Sequence, residues 1–155
     1  MSTQRRAPRA LVTGASRGIG LALCSELKAA GWEVIAAART KTPEIEALDV
    51  RWETLDVTSE SSVAELATSL DGVGLDLLVL NAGVSISDNI DALNFPAMMT
   101  QFDVNTLGPL RVTVALLESL SKGSKVAIVS SRMGSMGDNG TGRQYGYRAS
   151  KAAVN

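Results

Sequence analysis

Histidine is absent from the 155 residues, and cysteine occurs once. The first absence excludes His-ligated metal centres and every Ser–His or Cys–His catalytic pair. The second excludes an intrachain disulfide and fits a reducing compartment. The single thiol, Cys24, falls inside an apolar helical pattern, where cysteine behaves as a small buried hydrophobe. No stretch approaches the roughly 18 consecutive apolar residues of a membrane span, and the N-terminus has no apolar leader. Neither sign of charge dominates: 15 basic and 16 acidic side chains leave a net −1. A nucleic-acid or anionic-membrane surface would need a basic field, which is missing. Arg5, Arg6 and Arg9 do crowd the start, and an exposed tail accounts for them. These absences describe a cytoplasmic protein with no metal, nucleic-acid or membrane partner.

What remains is a globular composition, 45% hydrophobic and 20% charged. A chain of this length buries roughly 68–70% of its unfolded surface, enough for one domain with a real core. Strand and helix patterns alternate along it. Strands are expected at Arg9–Thr13, Glu33–Ala38, Val50–Leu55, Leu75–Leu80 and Lys125–Ser130. Helices are expected at Ile19–Ala30, stopped by Gly31, and in a short piece at Pro43–Leu48. Another runs to about Leu70 from a cap at Thr58 or Ser59, and a long one from about Phe95 to Leu120. Residues 137–142 (GDNGTG) read as a surface loop. Leu75–Leu80 (LDLLVL) is apolar on both faces, as at the centre of a parallel sheet. The alternation predicts an α/β, doubly wound parallel sheet of Rossmann type, five strands in all.

The first strand runs into TGASRGIG, residues 13–20. Glycines at a strand-to-helix turn let backbone approach a phosphate, and the helix N-terminus adds free N–H groups and a positive dipole end. The spacing is G-x-x-x-G-x-G; a bare tight turn is the plainer alternative, made less apt by the position between strand and helix. Further markers follow in order: Asp56-Val57, Asn81-Ala82-Gly83, Asn105, Ser131 and Tyr147-x-x-x-Lys151. Taken together, these motifs resemble those of the short-chain dehydrogenase/reductase family. The stretch SSRMGS…YGYRASKAAVN is similar to the C-factor and sniffer-type carbonyl reductase branch.

The resemblance implies cofactor contacts from Gly14, Ser16, Arg17, Gly18, Ile19, Gly20, Arg39, Asp56, Val57, Asn81, Ala82, Gly83, Tyr147 and Lys151. The second strand ends Ala36-Ala37-Ala38-Arg39, without the acid that would hold both ribose hydroxyls of NAD. Arg39, with Arg17 close by, suits a 2′-phosphate, so NADP(H) is expected over NAD(H). Two solvated surface arginines are the alternative. Asp56 can meet the adenine amino group or start the next helix, and the roles are compatible.

Carbonyl reduction needs a proton donor beside the hydride donor. Tyrosine alone is a poor acid or base near neutrality, with an ordinary pKa of about 10. A lysine four residues on lies on the same helix face, and its charge favours the phenolate. Tyr147 and Lys151 have that spacing. Tyr145 does not, and reads as a loop or pocket residue. The family pattern implies Tyr147 as general acid/base, Lys151 also on the nicotinamide ribose, and a serine on the substrate oxygen. Ser130, Ser131 and Ser135 are available; Ser131 fits the S-x-x-G pattern with Gly134. Asn105 precedes Pro109 by four residues. Proline has no N–H, so the Asn105 carbonyl loses its helical partner and a kink is expected. In the family that asparagine supports a water relay to the lysine; a plain proline kink is the alternative.

An NADP(H)-dependent oxidoreductase acting on a small carbonyl or alcohol is therefore the leading expectation. A cofactor-binding signalling or interaction protein, or an inactive fragment of such an enzyme, is the competing one. Family members continue past the Tyr-x-x-x-Lys helix with two more strands. Residues 1–155 are thus expected to form a dinucleotide-binding domain incomplete at its C-terminus, a homo-oligomer in its full-length form, with a sheet edge and apolar helix faces uncovered.

Overall fold

The computed structural model describes residues 6–155. Five strands form one sheet in the order β3-β2-β1-β4-β5, and every neighbouring pair is parallel. They are β1 (Arg9–Thr13), β2 (Glu33–Ala38), β3 (Arg51–Thr54), β4 (Leu75–Leu80) and β5 (Leu120–Ile128). The chain builds outward from β1 to β3, then crosses back to place β4 on the other side of β1. That reversal opens a crevice at the carboxyl ends of the strands.

Alternation along each strand feeds two helical layers. Leu11, Ile35 and Leu78 face a core shared with Val63, Leu66, Leu70, Val112 and Leu116. Val12, Val34, Ala36 and Val79 face the other way, toward Cys24 and Ile45. Burial pushes the Cys24 thiol up to about 11, so it stays protonated at neutral pH. Helix α1 (Gly18–Ala29) ends in a Schellman motif. Gly31, at φ +83°, donates to Lys28 O, and Trp32 donates to Leu27 O. Helix α2 spans Pro43–Leu48 and α3 spans Glu60–Ser69. Ser59, not Thr58, is the α3 cap: its hydroxyl accepts the Ser62 amide at 3.2 Å.

Three expectations need correction. The long helix is not continuous. It divides into α4 (Phe95–Phe102), a π-helical turn (Asp103–Leu107) and α5 (Gly108–Ala115), with a short 3₁₀ turn (Leu117–Ser119) before β5. Pro109 has no N–H to give Asn105, and the backbone widens there, with the Gly108 amide reaching Asp103 O. Strand β5 starts earlier than the apolar run, at Leu120 opposite Leu75. Ser121–Ser124 then bulges out of register, held by Ser124 Oγ donating to Leu75 O at 2.6 Å. The basic start is not a free tail. Arg6 pairs with Asp76 at 2.8 Å and Arg9 donates to Glu33 at 2.8 Å; Arg5 lies outside the described residues.

Among the described residues β5 is an open edge, with Val126 and Ile128 exposed. Leu110, Val114 and Leu117 form an exposed apolar row along α5 and the turn after it. Among the described residues no helix is long and apolar enough to cross a membrane.

Candidate active site

A cleft of about 580 Å³ lies over the carboxyl ends of β1 to β4. One wall is the turn from β1 into α1, with Gly14, Ser16, Arg17, Gly18 and Ile19. Gly14 sits at φ +67°, and a Cβ there would stand 2.8 Å from Ala82 Cα. The two turns can only close on each other because neither carries bulk at that point. Asn81 locks them, its side-chain amide donating to Thr13 O at 3.1 Å and Gly14 O at 3.3 Å. Thr13 Oγ1 in turn accepts the amides of Asn81 and Ala82. Gly20 is not among the residues that line the cleft. A Cβ on it would lie 2.3 Å from Gly14 O, so its role is close helix–strand packing.

At the N-terminus of α1, Arg17 makes no side-chain cap, and the first turn holds no acid. A Cβ on Gly18 would meet nothing within 4 Å. Ile19 exposes 64% of its surface at the same place. Uncapped amides, open space and an uncovered apolar side chain form a cradle suited to a phosphate-bearing group.

The far wall carries Arg39, Thr40 and Thr42, then Asp56, Val57 and Thr58. Arg17 and Arg39 are both exposed, and neither is in an ion pair among the described residues. The Thr58 hydroxyl and amide, both donating to Oδ1, hold the Asp56 carboxyl below the usual range, with a smaller contribution from Arg39. Asp56 thus shapes the turn into α3 while lining the cleft.

The Tyr147 and Lys151 helix, α6, spans Tyr145–Val154, so Tyr145 is its first residue and not part of the loop. The two side chains share a face, and the Lys151 ammonium stands 5.8 Å from the Tyr147 ring centre. Lys151 is only 5% exposed, and its Nζ donates to Val129 O at 2.8 Å. Burial lowers its pKa from the ordinary 10.5. The same Nζ lies 3.7 Å from where a Cβ on Gly83 would be, and Gly83 is on the cleft wall. Lys151 therefore joins the cleft to Tyr147, although Ser131, Tyr147 and Lys151 lie beyond the cleft's own lining.

Ser131 caps a 3₁₀ turn (Arg132–Gly134) by accepting the Met133 amide at 3.1 Å, which leaves its own proton free to donate. Ser130 donates to Asn155 Oδ1 at 2.6 Å, and Ser135 accepts the Asp138 amide. Ser130 has thus committed its hydroxyl proton, whereas Ser131 and Ser135 each accept an amide and keep theirs. The Ser131 turn packs tightly on α6: a Cβ on Gly134 would lie 2.8 Å from Lys151 C and O.

The Asn105 side chain is fully engaged. Its Oδ1 accepts the Val84 amide at 2.8 Å, and Nδ2 donates to Val84 O at 2.8 Å and Ser150 Oγ at 2.9 Å. Any part it has in proton transfer belongs to its backbone carbonyl, in the π-helical turn.

The chain matches the short chain dehydrogenase family over residues 8–155. It belongs to that family. It is 43% identical over 148 residues to the 1-hydroxy-2-glutathionyl-2-methyl-3-butene dehydrogenase of a Rhodococcus species, covering 94% of this chain and 66% of that one. It is 45% identical over 92 residues to the C-signal of Myxococcus xanthus, covering 57% and 55%. A short-chain dehydrogenase/reductase from Burkholderia multivorans, solved with bound NADP, superposes with a TM-score of 0.90 at 34% identity. That match covers 96% of this chain and 69% of the other. The chain spans about half to two thirds of the length of the curated relatives it matches.

Several residues that build this member's site carry no motif signal. Gln101 looks like an ordinary helix residue, and Asp88 like a loop acid. Thr40 follows Arg39 directly and Thr42 lies three residues on, and that proximity was the one readable hint.

Proposed function

We propose that the chain carries the dinucleotide-binding and catalytic part of an NADP(H)-dependent oxidoreductase that interconverts a carbonyl and an alcohol. Residues 1–155 are read as one domain. The observation that carries the proposal is Lys151: a buried ammonium, fixed to Val129 O, flanked by the Tyr147 ring and by Gly83 of the cleft wall. A buried cation aimed between a phenol and a cofactor-sized cleft is costly to hold and has a clear chemical use.

The cradle at α1 and the arginine-lined wall suit a dinucleotide with a 2′-phosphate. Gly14, Ser16, Arg17, Gly18 and Ile19 would hold its pyrophosphate, and Arg39 with Arg17 its 2′-phosphate. Asp56 and Val57 would flank the adenine, and Asn81, Ala82 and Gly83 the nicotinamide side. The reduced nicotinamide supplies hydride when bound. Ser131 donates its free hydroxyl proton in a hydrogen bond to the substrate oxygen. Tyr147 gives its phenolic proton to that oxygen as negative charge develops there. Lys151 opposes the charge left on the phenolate, and the carbonyl of Asn105 offers an acceptor for proton resupply. Alcohol oxidation runs the same transfers in reverse.

The test is NADPH and NADH oxidation by the full-length protein against aldehydes, ketones and quinones, with Tyr147→Phe alongside. Turnover lost by at least 10²-fold in the variant, with NADPH binding kept, is expected (roughly the span of general acid catalysis). Equal activity of the two proteins sinks the mechanism. NADPH binding with no turnover in either favours an interaction role.

A further inference from the structure

The entry into α6 is unusual. The two residues before it, Arg143 and Gln144, both lie in the left-handed region, at φ +56° and +53°. Neither is glycine, so the backbone is held there against its preference. Gln144 offers no side-chain cap to the helix. The cap comes from elsewhere. Asp88, in the loop after β4, accepts the Tyr145 amide on Oδ1 at 2.6 Å and the Gly146 amide on Oδ2 at 2.9 Å. Its carbonyl accepts the Gln144 amide at 3.3 Å, and Ser85 Oγ bonds Gln144 Oε1 at 3.0 Å.

The same loop is pinned from beneath at alternate residues. Asn105 holds Val84, and Gln101 Oε1 accepts the Ile86 amide at 2.9 Å. Residues 84–88 thus form a strap whose fixed end is the π-helical turn and α4, and whose working end is the Asp88 carboxylate. Arg148 completes the clasp from within α6, donating to Gly142 O, Arg143 O and Thr141 Oγ1. The second turn of α6 is held separately. Ser150 Oγ takes the Asn105 amide and donates to Tyr147 O, and Thr106 Oγ1 donates to Ser150 O.

We propose that Asp88 is a positioning residue: its carboxylate is the remote cap of α6 and sets where the Tyr147 ring sits relative to Lys151. A carboxylate also suits the positive end of the helix dipole. Asp88 lies outside the cleft lining, so it acts through α6 and not on the cofactor. The proposal rests on the reading of Tyr147 as the acid/base.

The test compares Asp88→Asn, which keeps one amide acceptor, with Asp88→Ala, which keeps none, in the full-length protein. Expected is a graded fall in kcat, up to about 10²-fold for the alanine variant, the scale of a small misplacement at a reacting group. The NADPH dissociation constant stays within about 2-fold, since Lys151 and the cleft keep their own anchors. Hydrogen exchange provides a readout free of turnover. The amides of Tyr145 and Gly146 both lose protection in the alanine variant and one of them in the asparagine variant, while those of Ser150 and Lys151 keep it. Val34→Ala, a core truncation at the opposite end of β2, controls for general destabilisation. Wild-type kcat and exchange in both Asp88 variants overturn the proposal. So does a pattern matching Val34→Ala, with every amide loosened together. If Tyr147→Phe keeps full turnover, the acid/base reading fails on its own, and exchange at residues 145–146 still decides whether Asp88 holds the turn.

Discussion

Gly134→Ala isolates the contact between the Ser131 turn and the Lys151 helix. The added Cβ would stand 2.8 Å from Lys151 C and O and 3.1 Å from Ala152 N, all of them backbone atoms. Carbon atoms rest at about 3.5–4.0 Å, so roughly 0.7–1.2 Å of separation is missing. No side chain can rotate out of the way, so either the 3₁₀ turn or α6 must move. Gly134 is not in the left-handed region, so the effect is steric and not conformational. Overpacking of this kind costs about 1–3 kcal/mol. For a chain of this size that lowers Tm by roughly 2–12 °C. The same displacement separates Ser131 from Tyr147 and Lys151, and kcat falls by up to about 10²-fold. Thermal unfolding and steady-state reduction measure both. Gly137→Ala is the control, because a Cβ there meets nothing within 4 Å and its φ is ordinary. The reasoning is refuted if Gly134→Ala melts and turns over like Gly137→Ala.

Two further predictions concern charge. Arg39→Ala weakens NADPH binding about 5- to 30-fold, because an exposed charge-assisted bond contributes about 1–2 kcal/mol here; NADH binding stays unchanged, and equal loss for both cofactors would falsify the 2′-phosphate assignment. Lys151→Met removes turnover and also reports on a buried charge. The folded-state pKa of Lys151 lies below 10.5, so the cost of burying its proton is full below that folded value and is relieved between it and 10.5. Wild type should therefore gain Tm relative to Lys151→Met as pH rises through the alkaline range, and a flat or falling difference contradicts the burial argument.

The centre of the fold was legible because its strands are written locally. Glu33–Ala38 and Leu75–Leu80 are short apolar runs between turn residues, and both fall where their sequence places them. The edge was not. Ser121-Lys122-Gly123-Ser124 lies between the expected helix and the expected strand, yet it is a bulge inside β5, rescued by one serine hydroxyl on Leu75 O. The long apolar helix was legible as helix but not as three pieces. Pro109 announced a break at Asn105; that the break would widen into a π-helical turn depended on what packs there. A Cβ on Gly108 would lie 2.8 Å from Val57 Cγ2, which fixes α5 against the cleft wall.

A similar division runs through the site. Tyr147 and Lys151 are four apart, so their shared face follows from helix geometry alone. What sets that helix in place is far away in sequence: Asp88 is 57 and 58 residues from the amides it caps. No local pattern can encode such a pair. The glycine between the two tyrosines makes the point in one residue. In sequence, Gly146 looks like a weak spot near the start of a helix, costing about 1 kcal/mol against alanine. In the fold, a Cβ there would stand 2.5 Å from Gln101 Nε2 and 3.1 Å from Met98 Cα, so α6 can approach α4 only because that position is bare. Gln101 is also the side chain that anchors Ile86 of the strap. The small residue, the buried glutamine and the remote aspartate are therefore parts of one device. It trades local helix stability for a fixed entry angle, and the entry angle is what Tyr147 needs.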